Sequence, residues 1–179
     1  MEYPLNDAQM RVLNPDSELI LYNSLNSVHD IDDLFTHCDK LIILYLLHSR
    51  VEGHWTCLMK APKGSDYDFM YFDSYGKPED WHLDRLTRRQ RAEYDEKFNV
   101  LQELLDNYKV YYNNVPLQGP DTETCGMFVT HRLHHSDLDT QEYIDEFFKD
   151  AKCSPDYIVS TYVLEMVRSD PEIKRYFSI

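Results

Sequence analysis

Two groups of residues that would have to meet stand far apart in this chain: Gly53-His54-Trp55 in the first third, and Gln118-Gly119-Pro120 followed by Cys125-Gly126 much later. Between them lies Tyr71-Phe72-Asp73-Ser74-Tyr75-Gly76. If these segments share one site, the fold must bring two strand-like stretches and the start of a helix to the same place. Together they offer an imidazole base, a carboxylate, a side-chain amide and a sulfur, which is the set needed for a thiol to attack a carbonyl. With 8 His and 4 Cys in the chain, no single residue is diagnostic, because a buried structural cysteine is the commoner fate of any one Cys. The combination and its order carry the signal.

Local sequence suggests how His54 and Asp73 meet. His54 to Lys60 and Tyr67 to Asp73 are both rich in strand formers and bounded by Gly and turn residues, so they read as two arms of a hairpin. A turn centred on Lys63 and Gly64 places His54 directly opposite Asp73. Opposed residues of an antiparallel pair share a face with Cα atoms about 4.5 to 5.5 Å apart, within reach of an imidazole–carboxylate hydrogen bond. A bulge in either arm would shift this register.

The second half follows similar logic. Residues 113–120, with two Asn, two Pro and a Gly, cannot continue a helix, whereas Phe128, Val129 and Leu133 after Cys125 have helical spacing. Cys125 is therefore expected to open a helix capped by Thr122 or Thr124. Free N–H groups and the positive helix end there favour an anionic sulfur. Gly126 would let a substrate backbone approach closely. Gln118 could fold back so that its amide and the Cys125 N–H both point at a developing oxyanion. Asp121 and Glu123 would oppose a thiolate if they faced it, and are expected to point outward.

His54-Trp55, Phe72-Asp73-Ser74-Tyr75-Gly76, Gln118-Gly119-Pro120 and Cys125-Gly126-Met127-Phe128 together resemble the adenovirus-type viral maturation cysteine proteases. The clan of that family also holds the ubiquitin-like-protein proteases. The resemblance covers roughly residues 53 to 133. It implies an α+β fold, a central mixed sheet flanked by helices around a papain-like cysteine protease core with His–Asp–Cys order. It also implies His54 as general base, Asp73 as its orienting acid, Gln118 as oxyanion donor and Cys125 as nucleophile. Trp55, with Gly53 and Gly126, would line a narrow substrate cleft. Asp73 stands where the adenovirus enzymes are expected to have Glu, which keeps the role. The implied activity is a cysteine endopeptidase that processes viral capsid or scaffold precursors next to Gly residues, in the virion and host-cell cytoplasm. The alternative is removal of ubiquitin-like modifiers.

Charge bears on partners. At a net charge of -14 and pI about 4.8 the chain should be repelled by nucleic acid. The one basic candidate face, Arg85, Arg88, Arg89 and Arg91, is balanced by Asp84, Glu93, Asp95 and Glu96. This departs from the adenovirus enzyme, which uses DNA as a cofactor. The expected partner is a protein substrate, a viral structural precursor, met by a monomer without cofactor, nucleic acid or membrane.

A length of 179 residues with 42% hydrophobic residues suits one domain over the whole chain. The cysteines at 38, 57, 125 and 153 show neither a disulfide framework nor zinc spacing, which fits a reducing compartment. The start, Met1-Glu2-Tyr3-Pro4-Leu5, does not read as a secretory signal, and the longest apolar run, Leu41 to Leu47, is far short of the ~20 residues that span a bilayer. Further expected elements are a helix from Asn6 or Asp7 to Val12, a buried strand from Lys40 to His48, one or two helices within Pro78 to Tyr108, a strand over 109–115, and helices from Gln141 to Lys149 and Pro155 to Arg168. His131 and His135, four apart, lack a third ligand, so no metal is expected. Cys57 is expected to pack beside Trp55 and Met59, and Cys38 and Cys153, whose alternative is a redox or partner-linking thiol, are expected to be buried as small hydrophobes.

Overall fold

The computed structural model describes residues 4–49 and 52–178; Met1, Glu2 and Tyr3 of the opening segment, and the terminal Ile179, lie outside them. Five strands, β1 (Glu18–Leu21), β2 (Lys40–Leu46), β3 (Gly53–Lys60), β4 (Phe69–Phe72) and β5 (Val110–Tyr112), form one sheet in sequence order. Among the inner strands, β3 runs antiparallel to both β2 and β4, while β1 and β5 run parallel to their neighbours at the two edges. The sheet is therefore mixed. β2 is buried from Leu41 to Leu46, as an unbroken apolar run requires.

The helices are α1 (Asp7–Leu13), α2 (Arg88–Tyr94), α3 (Val100–Leu104), α4 (Cys125–His134), α5 (Thr140–Phe147), α6 (Pro155–Ser169) and α7 (Pro171–Lys174). Every residue of α4 from Cys125 to Leu133 is buried, which marks a helix enclosed on all sides. It lies against β3 and is covered by α6 and α1. α1 starts where expected because Asn6 and Gln9 form a reciprocal capping box, and it stops at Asn14 before Pro15. The Pro78 to Tyr108 stretch divides into a 3-10 turn (Trp81–Arg85), α2 and α3. Thr87 and Gln90 box the start of α2, and Asp95 (φ 54°) and Asn99 (φ 58°) break the helical path with left-handed backbone. Among the described residues no helix is long and apolar enough to cross a membrane.

The hairpin register differs from the sequence expectation by two positions. The ladder pairs Cys57 with Phe72 and Lys60 with Phe69, and Ala61 N–H then donates to Asp68 O at 2.9 Å. The loop is thus longer than a tight Lys63-Gly64 turn, with Gly64 in left-handed backbone at φ 88°. Continuing this register puts Asp73 level with Thr56 rather than His54. A slip of one would have sent Asp73 to the opposite face; a slip of two keeps it on the His54 face, as a diagonal neighbour. β5 is also shorter than expected. Asn113 leaves the strand to bind Asp73, accepting from its N–H at 3.1 Å and donating to its O at 2.7 Å.

Candidate active site

β3 carries His54 at its start, opposite Tyr45 of β2. A side chain at Gly53 would place its Cβ 1.6 Å from the Tyr45 carbonyl oxygen, so glycine here permits the close approach of the two strands. Asp73 emerges just past β4 and is fully buried. Its Oδ1 accepts from His54 Nε2 at 3.0 Å and from the Tyr75 N–H at 2.8 Å. Its Oδ2 accepts from His82 Nε2 at 2.5 Å. Tyr75 stacks on the His54 ring with centroids 5.0 Å apart.

Burial alone would push the His54 imidazole toward its neutral form. The charge and hydrogen bond of Asp73, joined by the nearby Cys125, instead raise its pKa to about 10. Burial also works against an ionised Asp73, yet His54 and His82 hold its carboxyl well below the usual carboxylate range. His82 is shifted the other way, because burial outweighs its bond to Asp73 and favours the neutral ring. The three residues place ligand-capable atoms within 4.8 Å of one another. Since both imidazoles aim Nε2 at carboxylate oxygens, the arrangement is a hydrogen-bonded relay.

Cys125 is buried as the first residue of α4. Its N–H has no partner within the helix, since the first bonds close from Met127 and Phe128 to the Thr124 carbonyl. Neither threonine caps the helix in the way the sequence suggests. Thr124 occupies the cap position without a side-chain cap bond; its hydroxyl and that of Thr122 both donate to Asp156 Oδ1, at 2.5 and 2.7 Å. A carboxylate is the stronger acceptor. Asp156 Oδ2 also accepts from the Gly119 N–H at 2.9 Å, so one α6 side chain holds the whole segment between Gln118 and Cys125. Asp121 and Glu123 on that segment are exposed.

Gln118 is buried and held on three sides. Its Oε1 accepts from Ser74 Oγ at 2.7 Å, while Nε2 donates to Thr122 O at 2.7 Å and to Tyr75 Oη at 3.2 Å. Its own N–H bonds Ser74 O at 3.0 Å, which ties the loop before α4 to the segment after β4. Trp55 and Gly126, both expected beside a substrate, pack against each other. Trp55 is buried with Nε1 donating to Leu5 O at 2.9 Å. A Cβ on Gly126 would meet Met10, Leu5 and Trp55 at 3.0 to 3.2 Å, so the missing side chain there serves the seating of α4.

The remaining candidates disperse. Cys57 is enclosed as expected, and burial pushes its thiol up to about 12; Cys38 is only half-buried, and Cys153, against the expectation of burial, is exposed in the bend before Pro155. His131 bonds Tyr143 Oη at 2.8 Å within an aromatic cluster, and His135 bonds the His131 carbonyl. Three polar side chains at the site escaped the sequence reading: His82, Asp156 and Asn113. His82 sits in a charged stretch with no motif around it, and an acid in the first turn of a helix, as at Asp156, usually reads as dipole complementarity.

No protein-family model matches the sequence, and no curated protein matches it. Among solved structures, the chain is similar to the central domain of the uncharacterized Lpg1148 protein from Legionella pneumophila, at 17% identity and a TM-score of 0.41, over 96% of this chain and 92% of that one. It is also similar to the C-terminal Ulp1 protease domain, solved in complex with Smt3, the yeast ortholog of SUMO, at 16% identity and a TM-score of 0.38, over 91% of this chain and 78% of that one.

Proposed function

We propose that the protein is a cysteine endopeptidase with Cys125 as nucleophile, His54 as general acid–base, Asp73 as orienting acid and Gln118 as oxyanion donor. The observation that carries this reading is His54 itself. It is a buried imidazole with Nε2 committed to Asp73 at 3.0 Å, and Cys125 is close enough to act with Asp73 in raising its pKa. Nδ1 is the ring nitrogen left for the sulfur. An imidazole placed between a thiol and a buried carboxylate is arranged to move a proton.

In the proposed reaction the Cys125 sulfur bonds to the substrate carbonyl carbon, and the charge that develops on the oxygen meets the Cys125 N–H and the Gln118 amide. Gln118 already spends both amide N–H groups. The longer bond, to Tyr75 at 3.2 Å, is the one that would pass to the oxyanion. The carbon–nitrogen bond then breaks as the amine takes the proton held by His54, leaving a thioester. Water, giving its proton to His54, cleaves the thioester and restores the sulfur. The proposed substrate is a viral capsid or scaffold precursor cut next to glycine.

Peptide libraries, precursor lysates and modifier-fused reporters, with new termini mapped by mass spectrometry, test this reading. Cleavage of short Gly-containing peptides that is abolished by Cys125→Ala is expected. Activity confined to folded ubiquitin-like fusions would move the role to deconjugation, and cleavage retained by Cys125→Ala would end the proposal.

A further inference from the structure

Asp73 is restrained unequally at its two oxygens. Oδ1 has two donors, His54 and the Tyr75 N–H, whereas among the described residues Oδ2 has His82 alone. Without His82 this oxygen would be a fully buried, unpaired half of a carboxylate, and the group could turn about its own bond to seek another donor. His82 is itself rigidly delivered. It lies on the Trp81–Arg85 turn, entered through Asp80, whose backbone is left-handed at φ 65°. Asp80 is tied down by Tyr45 Oη, which donates to Oδ1 at 3.2 Å and accepts from the Asp80 N–H at 3.1 Å, and by the Gln102 N–H on Oδ2 at 2.9 Å. The His82 ring packs 4.4 Å from His54, 5.9 Å from Tyr45 and 5.2 Å from Trp81. So many fixed contacts around one buried histidine aim its Nε2 at one acceptor.

We infer that His82 is a positioning residue of the proposed peptidase, holding Asp73 by its second oxygen so that the first stays on His54. The site is thereby a four-member chain, Cys125, His54, Asp73 and His82. His82 touches neither the sulfur nor a substrate carbonyl and acts through Asp73. Its neutral ring supplies an N–H without cancelling the carboxylate charge, and that charge is what keeps the proton on His54. The charged and titratable groups that face His82 are Asp73 and Tyr75, His54 on β3, Tyr45 on β2 and Arg85 on its own turn.

The inference rests on the peptidase reading but is tested separately from it, by nitrogen-15 NMR of the histidine rings together with kinetics. In the wild-type protein both His54 and His82 should carry a proton on Nε2, with downfield-shifted ring N–H signals. A His82 ring protonated only on Nδ1 would overturn the inference whether or not any peptide is cut. His82→Phe keeps the ring contacts and removes the donor; it should lower the His54 titration point and reduce kcat roughly 10- to 100-fold with KM little changed, the scale of a small misplacement of a catalytic group. His82→Gln, which keeps a donor, should restore most of both. A folded His82→Phe with wild-type kcat and an unmoved His54 titration, or a His82→Gln as impaired as His82→Phe, would refute the role. Loss of all cleavage in wild type with the His54 and His82 signals as expected would instead count against the peptidase reading alone.

Discussion

His54 is subject to two opposed forces, and their balance makes a measurable prediction. Burial favours the neutral ring, but the Asp73 carboxylate and Cys125 lift its pKa from 6.5 to about 10. A folded-state pKa above the unfolded value means that the stability this interaction contributes is fully present below about pH 6.5 and is lost as pH rises through about 10. Thermal midpoints of wild type and His54→Gln, measured from pH 6 to pH 11, should therefore differ most at the acid end and converge on the alkaline side. A gap that widens with pH would refute the assignment. On the same argument the alkaline limb of kcat/KM should fall near pH 10 rather than near 6.5, because the leaving amine needs the His54 proton. At this scale the sequence was informative about His54 and Asp73, whose residue types and order pointed to a base and its acid. It was silent about His82, because one histidine in a charged stretch carries no periodicity or spacing to mark its partner.

Among the elements, the segment from Gln118 to Cys125 depends on α6 for its shape. It is neither helix nor strand, and its path is set by the three bonds to Asp156 and by Gln118 bonding Ser74 and Thr122. Asp156→Ala should leave the sheet and α4 intact while freeing this segment. We expect kcat to fall about 10²-fold, with KM changing less, since displacing the oxyanion donors by about 1 Å costs that order. Steady-state kinetics, with circular dichroism to check the fold, measure this; an unchanged kcat would show that the segment holds its shape without α6. The helix boundaries were largely legible in the sequence because caps are local. Asn6 with Gln9 and Ser154 before Pro155 mark the starts of α1 and α6 where the pattern put them. The cap of α4 was not, because Thr124 has a distant carboxylate to choose instead of its own helix.

For the whole molecule, the excess of acid over base gives a net charge of -14, which acts at a range no single pair does. If the substrate is a precursor with basic flanks, kcat/KM on the intact precursor should fall several-fold between 0.05 and 0.5 M salt, as screening shortens from about 14 to 4 Å, whereas a short neutral peptide should respond weakly. Equal salt dependence for both would remove charge from the account of specificity. Local pattern was enough to determine a buried β2, a hairpin of β3 and β4, and a helix opening at Cys125. It did so because alternation, apolar runs and helix-end chemistry are properties of neighbouring residues. Tertiary structure alone decided the hairpin register, since the long loop shifted it by two positions and only parity kept Asp73 facing His54. It also decided the packing of Gly126 against Trp55 and the anchoring of the Gln118 segment by Asp156. Those outcomes depend on contacts between residues far apart in the chain, and their strength comes from burial that exists only once the sheet and helices have closed around them.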